Sequence, residues 1–322
     1  MKAFLKSTLL FMLISIGLGL LFVLTLHYTI RHGDYLKIDS SIKHLIAGHS
    51  IPACSLSDEY IPGFLNISQD SEGYSFTFFK IKAAIEANPQ IESVFVEYET
   101  SQIDEFAKHR IYGNYLRQNV PRHFGIMDLG PLVDYFIKNG ELTEFVFVIR
   151  KTIEDNLAFI WKKDRNIPAD IWDTHITPNV AFTGEVPTKD EEMVDSNSYI
   201  VFEENLTYLD SIVAFCQASN VKVYLFRSPT MEKKFKNELI FLDIAKTRYK
   251  NIPFLDFDQI LLPVPAYCDI VHINVDGQRF FSKFFNSLAV DGVFDDPNYQ
   301  AIIEERGKKL SEMDVSKDYI LF

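Results

Sequence analysis

Basic residues are scarce through most of this chain. Outside the first 32 residues, which hold Lys2, Lys6 and Arg31 and no acid, 29 Lys and Arg face 44 Asp and Glu, a formal −15. A nucleic-acid partner would need a basic surface to replace phosphate counterions, so that class is set aside. Cysteine is scarce too. Cys54, Cys216 and Cys268 are too few for a disulfide scaffold and odd in number. There is no HExxH and no repeated Cys/His spacing, so no metal is expected. Gly48-His49-Ser50 lacks the further glycines or lysine that cradle phosphates, so no cofactor is expected. What remains is ample. The 322 residues, 47% hydrophobic and 24% charged, are too apolar for a disordered chain and long enough for one sizeable domain plus an attachment.

The attachment is N-terminal. From Ser7 to Ile30 no Asp, Glu, Lys or Arg interrupts the run, and about 20 apolar residues suffice to cross a bilayer core as a helix. No shorter apolar region with a small-x-small cleavage site is evident, so residues 7–30 are expected to be an uncleaved signal anchor with the lipid bilayer as partner. Lys2 and Lys6 precede it. The positive-inside rule then leaves residues 1–6 in the cytoplasm and everything after about 31 outside, in the periplasm if the cell is Gram-negative.

Beyond the anchor, strand and helix patterns alternate. Ile42–Ala47, Gly63–Ile67, Glu92–Tyr98, Val221–Phe226 and Pro253–Phe257 read as strands. Tyr74–Ala87, Tyr199–Ala218, Met231–Arg248 and Val275–Ala289 read as helices. Parallel neighbours need long crossovers, so the alternation predicts an α/β fold: a doubly wound parallel sheet of about five strands built from 31–100 and 199–322. Residues 101–198 break the rhythm. Helical segments near Met127–Lys138 and Glu141–Lys163 precede a polar stretch, Asp164–Asn197, and no strand of the main sheet is evident. This is expected to be a mostly helical insertion, serving either as a lid over the site or as a packing layer.

In such sheets the site forms where loops leave the carboxyl ends of the strands. Ser50 follows the first strand. A serine needs a base to take its proton, and that base needs an orienting group. His272, beyond the fifth strand and before the last helix, is suitably placed. Asp269, three residues earlier, can accept from the imidazole if the loop forms one tight turn. A Gly-x-Ser alone is common in loops, and Asp-x-x-His is often a turn before a helix, with Asn274 or Asp276 as the N-cap. The pairing at two strand ends is what gives them weight. His49 is expected to be a local loop residue, because adjacent side chains seldom point at one another.

On these blocks the chain resembles the SGNH (GDSL-like) hydrolase and O-acyltransferase superfamily, over about residues 40–100 and 200–290. Gly48-His49-Ser50 matches the family's Gly-Asp-Ser with a histidine in place of the acid, and Asp269-x-x-His272 matches its last block. The resemblance implies a flavodoxin-like core with strand order 2-1-3-4-5, and Ser50 as nucleophile, His272 as general base and acid, Asp269 as orienter. It also implies an oxyanion hole from the Ser50 N–H, a backbone donor after the second strand and an asparagine after the third. Here Ser71 or Gly73 could give the backbone donor. No Gly-x-Asn follows the third strand, and Gln102 or Ser101 would have to substitute. The function implied is an extracytoplasmic serine esterase or O-acyltransferase acting on acyl esters of a cell-envelope glycan. The alternative is a catalytically inactive anchored module that binds a polymer or an assembly partner. Two further readings are weighed at the site: free thiols as the default, against a disulfide joining Cys54 to Cys268, and core packing as the commoner use of Tyr112, Tyr115, Phe124 and Tyr135, against a carbohydrate-binding face.

Overall fold

The computed structural model describes residues 1–112, 115–128, 130–131, 133–135, 146–154, 157, 178–180, 182–184, 200–231 and 238–314. Five strands form one wholly parallel sheet: β1 (His44–Ala47), β2 (Phe64–Asn66), β3 (Ser93–Glu97), β4 (Lys222–Arg227) and β5 (Phe254–Asp256), in the order β2-β1-β3-β4-β5. All five lie within the segments expected from the sequence or within one residue of them. β3 is buried at every position, as expected for a central parallel strand covered on both faces, and its sequence SVFVE is accordingly an apolar run rather than an alternation. Fully burying one such aliphatic side chain stabilises the fold by about 1.5–3 kcal/mol.

Two apolar layers flank the sheet. One is packed by α3 (Tyr74–Ala87) and α7 (Glu203–Ala218), with Phe76, Phe79, Leu206 and Leu209 against Leu45, Val94 and Val96. The other is packed by α9 (Val275–Val290), whose Phe280, Phe281, Phe284 and Phe285 meet Ile46, Phe95 and Phe257. Outside the insertion and its neck, two helices went unanticipated: the short α2 (Ser50–Ser55) and α10 (Tyr299–Gly307). The expected Met231–Arg248 helix is seen as α8 (Glu238–Thr247), residues 232–237 lying outside the described set.

The insertion leaves the core through α4 (Thr100–Ile103), α5 (Ala107–Tyr112) and α6 (Leu116–His123). Its neck is pinned by an antiparallel bridge between Asp104 and Val201 and by Phe202 N donating to Ile103 O at 2.8 Å. Residues 130–131, 133–135 and 146–154 are helical. Most of the expected polar stretch Asp164–Asn197 lies outside the described residues. Phe124 and Tyr135, offered above for a carbohydrate face, are instead core residues, 4% and 2% exposed, with Tyr135 stacked on Phe76. Tyr112 packs against the same cluster.

The N-terminal helix, α1 (Lys2–His32), is long and apolar enough to cross a membrane, with a mean hydropathy of 2.7 over its most apolar window. Its last two turns belong to the folded body. Leu26 and Ile30 are buried, His27 Nε2 lies 2.8 Å from Met127 O, and Arg31 pairs with Asp128 at 2.9 Å. A Cβ on Gly125 would fall 2.3 Å from Ile30, so a glycine is needed where the helix is seated. The exposed apolar stretch therefore stops short of Ile30.

Candidate active site

The site is assembled from two loops at the carboxyl ends of β1 and β5. The β1 strand stops at Ala47 and the chain turns through Gly48 into α2, with Ser50 as its first residue. Gly48 is dictated by packing: a Cβ there would fall 2.4 Å from Glu97 Oε2 and 2.7 Å from Pro52. Pro52, in the first turn of α2, is tolerated because no helical carbonyl yet awaits its missing N–H. Asn66, closing β2, holds the far end of α2 by donating to Pro52 O at 2.9 Å and Leu56 O at 2.7 Å. The position of Ser50 is thus fixed from both sides.

The second loop is a tight turn. Tyr267 and Ile273 form an antiparallel bridge, and Cys268 N donates to His272 O at 3.0 Å. Asp269 Oδ1 accepts from Val271 N at 2.8 Å and His272 N at 2.7 Å, which folds the loop around its carboxylate. Asn274 then caps α9 by accepting from Asp276 N and Gly277 N. Gly277 is required there, since a Cβ would lie 2.1 Å from Ala266 O.

These loops bring together the three residues expected from the sequence. Ser50 Oγ lies 2.9 Å from His272 Nε2, and His272 Nδ1 lies 2.8 Å from Asp269 Oδ2. Burial alone would raise the Asp269 carboxyl, but the imidazole bond and the two backbone N–H bonds outweigh it and hold Asp269 below the ordinary carboxylate value. An ionised Asp269 fixes the proton of His272 on Nδ1. Nε2 is left bare to accept from Ser50.

The oxyanion side is built differently from expectation. Gln102 is fully buried; its Nε2 donates to Glu72 O at 2.9 Å and its Oε1 meets Asn205 Nδ2 at 3.4 Å. Its amide is spent bracing the loop after β2 and does not stand open toward Ser50. Gly73 caps α3 and packs against Arg110, Ile111 and Asn205. Ser71 is better disposed. Gln69 N donates to Gly48 O at 3.0 Å, which lays the loop against the Ser50 corner. Ser71 has a left-handed backbone (φ 62°), its carbonyl accepts from Asn119 and its hydroxyl donates to Asp70. Among the described residues, the N–H groups of Ser50 and Ser71 donate to no protein acceptor.

Two residues of this corner, Glu97 and Arg110, escaped sequence reasoning, and a third, His49, is more than the loop residue expected. Glu97 ends β3 in full burial, its Oε2 accepting from His49 N at 2.7 Å, and burial pushes its carboxyl well above the usual range. His49 is 1% exposed; its Nδ1 accepts from Ile51 N at 3.2 Å, so Nε2 carries the proton toward Ser101 Oγ at 3.1 Å. Burial first, and then Arg110 and His272, hold its imidazole well below the normal value, so it is neutral. Arg110, from α5, reaches Ser101 Oγ at 3.4 Å. A lone acid closing an otherwise apolar strand was the available signal for Glu97. Nothing in the local pattern marked Arg110.

All three cysteines are free thiols, the default reading, and the alternative Cys54–Cys268 disulfide is not formed. Cys268 Sγ lies 3.4 Å from His272 O, and burial pushes the Cys54 thiol up to about 12. No group of three or more His, Cys, Asp or Glu with metal-binding arrangement occurs among the described residues.

No protein-family model matches the chain, and no curated protein matches it. Among solved structures, it is similar to a Bacteroides fragilis protein described as a "putative acylhydrolase", at 10% identity and a TM-score of 0.37, covering 78% of this chain and 88% of that one. The chemistry of the site therefore rests on its side chains.

Proposed function

We propose that this chain is a membrane-anchored, extracytoplasmic serine esterase or O-acyltransferase of the SGNH-like kind, acting on acyl esters of a cell-envelope glycan. The observation that carries the reading is the continuous relay from Ser50 Oγ through His272 to Asp269, at 2.9 and 2.8 Å. Ser50 Oγ attacks the acyl carbonyl while its proton passes to His272 Nε2. The N–H groups of Ser50 and Ser71 receive the developing oxyanion, one such donor being worth on the order of 10²- to 10³-fold in rate. His272 returns the proton to the leaving alkoxide, giving the alcohol and an acyl-Ser50. Water or a sugar hydroxyl, deprotonated by His272, then attacks that ester and restores the free serine. The apolar α1, with Lys2 and Lys6 before it, supports a bilayer anchor within residues 7–30, a cytoplasmic N-terminus and an outward-facing domain.

The competing reading is a non-catalytic anchored binding module. The lack of a Gly-x-Asn block and the internal commitment of Gln102 favour it. Labelling by a fluorophosphonate probe separates the two. Wild type should label, while Ser50→Ala abolishes labelling and His272→Ala slows it at least 10²-fold, the usual scale of a lost general base. Equal labelling of all three proteins would end the esterase proposal.

A further inference from the structure

Arg110 is buried, 7% exposed, at the end of a polar string that starts beside the nucleophile: His49 Nε2 to Ser101 Oγ at 3.1 Å, then Ser101 Oγ to Arg110 at 3.4 Å. Its guanidinium lies over the Phe106 ring at 5.4 Å. Its Nε has no acceptor, and among the described residues no carboxylate oxygen lies within 4 Å of it. The fields of Glu97, Asp104 and Asp70 favour its charge, but burial outweighs them, and none of the three is bonded to the guanidinium. Two further buried atoms at the same corner, Gln69 Oε1 and Glu97 Oε1, also lack partners, and Gln69 is the residue whose N–H binds Gly48 O. A buried cation without a directly bonded counter-ion is costly to keep in a protein interior. Such an arrangement persists where a ligand supplies the missing charge, and a guanidinium fork is suited to the two oxygens of an oxyanion.

We infer that Arg110 forms an anion-binding subsite beside Ser50, so that the substrate carries a carboxylate or phosphate close to the acyl ester. Its placement next to the chemistry rests on the reading of Ser50 as nucleophile; the subsite itself does not. The chain's overall negative charge is then overridden locally by one guanidinium delivered from the insertion. Arg110 selects the substrate and positions it, without taking part in proton transfer.

Binding to the full-length protein in detergent or nanodiscs tests this, with sodium glucuronate, inorganic phosphate and the neutral methyl ester of glucuronic acid as probes, read by calorimetry. The expected result is that one anion binds and the neutral ester does not compete. Preference for glucuronate points to an acidic sugar, and preference for phosphate to a phosphorylated polymer or lipid. Arg110→Met should weaken the anion at least tenfold while leaving the thermal midpoint of the unliganded protein unchanged or higher, because a merely structural arginine would lower it. Arg110→Lys should keep part of the affinity. Wild type binding neither anion better than the neutral ester, or Arg110→Met that melts earlier together with Arg110→Lys of wild-type affinity, overturns the proposal. Ser50→Ala separates the two readings: anion binding that persists in a protein no fluorophosphonate labels leaves the subsite standing and removes the esterase.

Discussion

Two buried cations flank the loop after β2 and are handled in opposite ways. Lys80, on α3, is wholly buried, yet its Nζ bonds Glu72 Oε2 and Ile67 O, each at 2.5 Å. Glu72 is completed by Thr77 Oγ1 at 2.7 Å, with His123 Nε2 3.5 Å away. Among the described residues, Arg110 meets a serine hydroxyl and an aromatic face but no carboxylate. The closed pair is a brace under the loop that presents Ser71. The open guanidinium lies beside the nucleophile's neighbours. Burial of a charge therefore does not distinguish structure from function here; satisfaction of the charge does.

Lys80→Met tests the closed pair most severely. It leaves the Glu72 carboxylate buried and unpaired, and should cost about 3–5 kcal/mol in urea unfolding. Loss of less than about 1 kcal/mol would erase the contrast between the two cations. Glu97→Gln comes next, through pH. Glu97 is held neutral in the folded chain, whereas in the unfolded chain it ionises near the ordinary value of about 4.3. The folded state then binds the extra proton, so wild-type stability falls as pH rises above about 4.3, by up to ~1.4 kcal/mol per unit, until the raised pKa is passed. Glutamine should flatten that slope in unfolding curves at pH 5, 6, 7 and 8. A mutant slope identical to wild type would mean that the Glu97 carboxyl is not raised in the folded chain.

Arg110→Met should leave unfolding stability within about 1 kcal/mol of wild type, since no partner is stranded. Ser101→Ala removes the hydroxyl that both His49 and Arg110 reach and should cost about 0.5–1.5 kcal/mol, with less effect on fluorophosphonate labelling than His272→Ala. A Ser101→Ala protein as inert as His272→Ala would move Ser101 into the reacting machinery.

The relay was legible because each part has a local cause. Asp269 and His272 sit three residues apart in a turn folded by the aspartate's own backbone bonds, and Ser50 follows a strand whose alternation with helices places it at a known end of the sheet. The oxyanion side was not. Gln102 and Ser101 are adjacent in sequence and equally polar, and only the packing of Asn205 and Glu72 decides that Gln102 turns inward while Ser101 faces His49. Tyr135 and Phe124 were equally ambiguous, since an aromatic residue at helical spacing suits a core and a binding face alike.

The sequence by itself determined the parallel α/β sheet, the apolar N-terminal helix and the Ser-His-Asp set, because periodicity, charge-free length and short-range turn chemistry are local properties. The tertiary structure decided which polar residues are spent inside the fold and which stay open. It seated the last turns of α1 on Gly125, left Cys54 and Cys268 unbridged, and carried Arg110 from an aperiodic insertion to the edge of the nucleophile's corner. Those outcomes depend on which distant side chains meet, and hydrogen-bond satisfaction across 50 to 200 residues leaves no signature in the spacing of any one segment.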